Sequence, residues 1–213
     1  MDTRRRQRDG SRAPQRATRS PSPLTRGVVM IETVLILPFL VTMMVGILEF
    51  GLAWRDSIAV SAALRQTART SASQGANGSA DYYALQALNS GLSGIPSDAI
   101  ARIVVYNATT NSAPDPTCLL MTAPAGQTGA RACNVYDASA LIMSPSAFSS
   151  TATGTCPADA VDRWYCPLTR NVIQASGADA LGVYVEVRHD FASRIFGTGL
   201  TIRDKFIVRL EPV

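Results

Sequence analysis

The stretch Val28–Leu48 carries one charge, Glu32, in 21 consecutive and otherwise largely apolar residues. As a helix, at about 1.5 Å per residue, it reaches roughly 30 Å, the thickness of a bilayer's hydrocarbon core. Eight arginines (Arg4, Arg5, Arg6, Arg8, Arg12, Arg16, Arg19 and Arg26) precede it, against Asp2 and Asp9. Residues 1–27 therefore hold a formal +6 of the chain's +4, leaving −2 for the rest. Cationic residues beside a membrane helix hold that end in the cytoplasm. The expected topology is a single pass through the cell membrane, with the N-terminus cytoplasmic and everything after about Trp54 outside. A cleaved secretory signal fits less well, since its apolar region is about 7–15 residues. The arm 1–27 has few apolar residues and several Pro and Ser, so it is expected to be disordered. With the basic charge confined to that arm, the body is not a nucleic-acid-binding domain.

The helical pattern does not stop at the membrane boundary. "WRDSIAVSAALRQTARTSASQG", Trp54–Gly75, is rich in Ala, Leu, Arg and Gln, contains no Pro, and ends at a glycine suited to a helix stop. One helix over about 28–73 is predicted, with a transmembrane half and an outer half, and Pro38 is a candidate bend in the first. Small residues stud the outer half: Ala53, Ala59, Ser61, Ala62, Ala63 and Ala68. They suit close approach of a partner helix or sheet, and equally a helix lying on its own domain. Glu49 ends the apolar run and reads as a helix-boundary charge at the interface. Glu32, inside the run, needs a partner or a proton.

Gly27 followed by "VVMIE" has the form of a type IV prepilin-like processing site. The wider stretch "RGVVMIETVLILPFLVTMMVGILEFGLAWRDSIAVSAALRQTARTSASQG" resembles the TadE-like family of pilus-assembly proteins, pseudopilins of the bacterial Tad (Flp-type) system. The resemblance rests on Glu32, "LILP" (Leu35–Pro38), "GILEFG" (Gly46–Gly51) and the Ala/Arg-rich continuation. It implies cleavage between Gly27 and Val28 by a prepilin peptidase, which puts Glu32 fifth in the mature chain. It also implies that Glu32 meets the freed amino group of a neighbouring N-terminus. The implied partners are the membrane, that peptidase, other Tad pilus subunits and the platform proteins. The alternative reading is a membrane-anchored binding or adhesion domain that enters no filament.

Three segments follow: the arm 1–27, the TadE-like helix 28–74, and an extracytoplasmic domain 75–213 with a loop-rich region 108–180. In that last segment Asp81 to about Asn89 reads as a short helix with a Tyr82, Leu85, Leu88 stripe, and 100–106 as a strand. Val183, Val185 and Val187 alternate with Tyr184, Glu186 and Arg188. Phe206, Val208 and Leu210 alternate with Lys205, Ile207 and Arg209. These suit a hairpin joined through "FASRIFGTG". The fold class is α+β, a long helix packed on a small antiparallel sheet in the pilin-like manner, partly by analogy.

All four cysteines (Cys118, Cys133, Cys156 and Cys166) lie in the loop-rich region, spaced by 15, 23 and 10 positions. With no C-x-x-C and one histidine, no metal site is expected. Outside the cytoplasm, disulfides are. Local closure favours Cys118–Cys133 with Cys156–Cys166, and the nested pairing Cys118–Cys166 with Cys133–Cys156 is the rival. His189 beside Asp190 finds no G-x-S-x-G elbow and reads as a strand-end histidine near a charge. Trp164 and Tyr165 in "DRWYCPL" read as a small core beside a disulfide, or as a contact patch. No phosphate-binding loop or dinucleotide fingerprint is present. The sequence therefore points to a protein that is not an enzyme, with no cofactor and no small-molecule substrate.

Overall fold

The structure, a computed structural model, describes residues 23–211, with side chains from Val29 onward. Most of the arginine arm, expected to be disordered, lies outside the described residues. Packing divides the chain after Met44, and the second unit is Val45–Val213.

The first element, α1, runs Pro23–Gln74, beginning five residues before the start expected from the apolar run. A proline suits the first turn of a helix, where its missing N–H has no role. Pro38 lies inside α1 and leaves the Val34 carbonyl without its helical donor, yet helix continues on both sides. The hydroxyls in the apolar stretch bond back to the helix: Thr33 donates to the Val29 carbonyl and Thr42 to that of Pro38, each at 2.8 Å. No free hydroxyl hydrogen is then presented to an apolar surrounding. At its other end α1 stops at Gly75, left-handed at φ 52°, whose N–H turns back to Ser71 and Ala72.

In the second unit one face of α1 is buried. Val60, Ala63, Leu64, Ala68 and Ala72 are all closed to solvent. The second helix, α2 (Ala80–Gly91), buries Leu85 and Leu88 in the same core. Its Gly91 lies so close to α1 that an added Cβ would stand 2.6 Å from the Ala63 Cβ. Of the small residues of the outer half, Ala53, Ala63 and Ala68 are buried within the chain's own domain, whereas Ala62 is exposed.

The sheet follows. Strand β1 (Ile100–Asn107) is flanked by β3 (Cys133–Tyr136) and β4 (Ala180–Asp190). Short β2 (Ala125–Gln127) lies outside β3, and β5 (Gly199–Arg209) outside β4. The order is β2-β3-β1-β4-β5, antiparallel at every step. Ile103 and Val105 of β1 and Val183, Val185 and Val187 of β4 face the helices. Val104, Tyr106 and Tyr184 point to the other face, which Cys118 and Cys133 help to cover. A long helix packed on a small antiparallel sheet is the expected architecture. The expected helix at 81–89 extends to Ala80–Gly91, and the expected strand to Asn107.

The region 108–180 is less irregular than its composition suggests. It supplies β2, β3 and a one-turn helix, α3 (Pro116–Leu120), started by Asp115, which accepts from the Thr117 N–H at 2.9 Å. The cysteines form Cys118–Cys133 and Cys156–Cys166, the local pairing and not the nested one. A buried polar network holds the rest. Asp81 on α2 pairs with Arg170 at 2.6 Å and accepts from Tyr136 at 2.7 Å and Asn134 at 2.9 Å. Asn134 in turn accepts from the Tyr165 N–H at 2.8 Å. Tyr165 is buried in the core beside Cys166, while Arg163 lies over the Trp164 ring at 3.8 Å. Of the two readings of "DRWYCPL", the core one describes Tyr165.

Candidate functional site

Among the described residues, none covers the apolar stretch of α1. From Val29 to Met44 nearly every large side chain is exposed, Leu35 by 73%. Burying such a surface normally drives folding, so its exposure on a helix this long marks a lipid or partner surface. The described helix is long and apolar enough to cross a membrane. Glu32 sits on it, exposed, with no ion-pair partner among the described residues. Gly27 and Val28 are in the helical backbone of α1.

Glu49 differs from expectation. Read from sequence as a plain boundary charge, it is only 4% exposed. Its carboxylate accepts the backbone N–H of Ser193 at 2.6 Å and of Ala192 at 3.2 Å. Both lie in the loop Phe191–Thr198 between β4 and β5. The Ser193 N–H holds the Glu49 carboxyl below the usual carboxylate range against the opposing effect of burial, and Ala192 adds to it. Burial of this carboxylate is tolerated because two donors meet it.

Neighbouring residues on the same helical face complete the dock. Phe50 meets Phe191 edge-on at 5.6 Å and Phe196 at 5.9 Å. A Cβ on Gly46 would stand 3.1 Å from the Phe196 ring, so a glycine lets that ring lie against the helix. Ala53 is buried one turn on, and Asp56 pairs with His189 Nδ1 at 2.6 Å. Gly46, Glu49, Phe50, Ala53 and Asp56 follow helical spacing, so they form one stripe. The charge near His189 is therefore Asp56, from another element, whereas Asp190 pairs with Arg188 at 3.0 Å. The stripe could have been read from "GILEFGLAWRD" by its period. Its partners could not, since they lie more than 130 positions away and two of them are main-chain N–H groups.

Among the described residues no group of His, Cys, Asp and Glu is placed to hold a metal ion. What the fold and this stripe define is a class: an α+β protein whose long first helix starts as a bare apolar segment and continues into the core of a disulfide-bonded domain. Within it, residues 27–69 match the family described as TadE-like protein, so over that span the chain is similar to that family. The matched span includes Gly27, Glu32 and the whole Gly46–Asp56 stripe. Comparison with curated proteins and with solved structures finds no match.

Proposed function

We propose that the protein is a single-pass membrane pseudopilin, or minor pilin-like subunit, that takes part in assembly of a Tad (Flp-type) pilus. The observation that carries this reading is the bare apolar stretch of α1, bearing Glu32 five positions after Gly27, inside the TadE-like span. Its arginine arm stays in the cytoplasm and everything after about Trp54 lies outside. A prepilin peptidase cuts between Gly27 and Val28. That cut removes the arginines that hold the helix to the cytoplasmic face and creates an amino group on Val28. Glu32, costly in hydrocarbon, then finds a cationic partner at the N-terminus of a neighbouring subunit. The role is structural and not catalytic, with other Tad subunits and the platform proteins as partners.

Mass spectrometry of the membrane-extracted protein, with and without the peptidase, tests the cut. The expected mature chain begins at Val28, and Met1 at the N-terminus in both samples would rule it out. Glu32→Gln and Glu32→Ala are expected to reduce piliation severely, and unchanged pili would remove the role assigned to that carboxylate. The separate packing of Val45–Val213 favours the rival, a tethered adhesion domain outside any filament. An uncut chain with normal piliation in its absence would select it.

A further inference from the structure

The loop that clamps Glu49 turns an apolar tip outward. Ile195 is 57% exposed and Phe196 40%. On the part of α1 that Phe196 touches, Ile47, Leu48 and Phe50 are each more than half exposed. Single exposed apolar residues are ordinary, but Phe196 and Phe50, from two distant segments, meet with their rings 5.9 Å apart. The tip is held in place from three sides: the Ala192 and Ser193 N–H groups on Glu49, the Phe50 ring, and the gap left by Gly46. Its backbone is set by Arg194 at φ 56° and Gly197 at φ 107°. The helical side of the patch is continuous in sequence with the apolar run that ends at Leu48.

We propose that the tip Arg194–Gly197 is a membrane wedge: Ile195 and Phe196 enter the outer interface of the bilayer that α1 crosses, and Arg194 reaches its anionic headgroups. This rests on reading Val28–Leu48 as a membrane span. The occupant is lipid because the patch lies where that span ends. A cation next to two large apolar side chains suits an interface with hydrocarbon on one side and phosphate on the other. A second point of attachment fixes the rotation of the outer unit about its helix, which a single span leaves free. Glu49 is then a positioning residue, holding the loop at the depth where its tip meets lipid.

The test uses the full chain in phosphatidylcholine/phosphatidylglycerol vesicles with brominated acyl chains, which quench nearby tryptophan. Trp54 and Trp164 are first replaced by Phe. Single probes are then introduced as Ile195→Trp, Leu35→Trp and Ile142→Trp, the last at an exposed site away from the loop. Peptide mapping for both disulfides confirms each variant's fold. The expected result is loss of emission for Ile195→Trp with bromines near the headgroup and for Leu35→Trp with bromines near the chain ends, while Ile142→Trp responds only to aqueous iodide. If Leu35→Trp is quenched by lipid and Ile195→Trp only by iodide, the wedge is wrong and the span stands. If neither is quenched by lipid, both fail. Shielding of Ile195→Trp from lipid and iodide alike means that a protein neighbour, including a second copy, covers the tip, and this too overturns the wedge.

Discussion

The two halves of α1 are continuous helix, yet they obey opposite rules. In the first, large apolar residues such as Leu35 and Phe39 stand open and the hydroxyls of Thr33 and Thr42 turn inward to the helix's own carbonyls. In the second, small residues such as Ala63 and Ala68 are buried and the arginines face out. A helix surrounded by its own domain needs a narrow apolar face that lets neighbours approach, whereas one bound for lipid needs bulk on every side. The contrast teaches that side-chain size and its distribution around the helix, more than average hydropathy, distinguish the two surroundings.

The largest expected effect falls wholly in the outer half's domain. Asp81→Ala leaves Arg170 buried without a counter-charge and should cost about 3–5 kcal/mol in urea unfolding of the solubilised protein. Asp81→Ala with Arg170→Met should recover part of that loss. The contrast weakens if the single variant leaves the outer domain's midpoint unmoved. Next comes one substitution made in both halves. Leu64→Ala, at a residue 1% exposed, should cost roughly 2–5 kcal/mol of the same stability, and Leu35→Ala close to nothing. Equal effects would show that the first half is covered by the protein itself. Removing Cys118–Cys133 with a Ser pair should cost about 3 kcal/mol, as for a loop of 15 residues, and removing Cys156–Cys166 somewhat less. Loss of helical signal from the apolar stretch on reduction would contradict the separation of the two units.

The smallest effect is one of pH. Asp162 is buried near Asp81, and burial first, then that repulsion, pushes its carboxyl up to about 6, although it accepts from Ser149. Its ordinary value is 3.8. Between roughly pH 4 and pH 6 the folded chain holds a proton that the unfolded chain has released, so this contribution to stability falls as pH rises. Asp115 and Glu49, held low, act in the opposite sense and lose stability as pH falls. The readout is therefore the difference between wild type and Asp162→Asn across pH 4–7. It should shift against wild type by roughly 1–3 kcal/mol as pH rises. A flat difference would show that Asp162 ionises normally.

Several features were legible in the sequence because they are local or periodic. Val183, Val185 and Val187 alternate and are buried together, and Phe191–Thr198 is the loop of the expected hairpin. The cysteines paired as short loops favour. Strands β2 and β3 escaped notice because they are three and four residues long and Cys133–Tyr136 is buried on both faces, which erases alternation. Asp81 gave no sign of its role, since an acidic residue in the first turn of a helix already has a reason to be there. Only the return of Arg170 to the same place makes it the centre of a buried network.

The order of residues alone determined the apolar span, its arginine-flanked start, Glu32 within it, and the length of helix beyond, because helix period and hydropathy are properties of neighbouring residues. The tertiary structure decided what Glu49 is. Its two donors are main-chain N–H groups of a loop 143 and 144 positions away, and main-chain donors have no letter in the sequence. A boundary charge became a buried clasp because folding brought that loop to the stripe begun by Gly46.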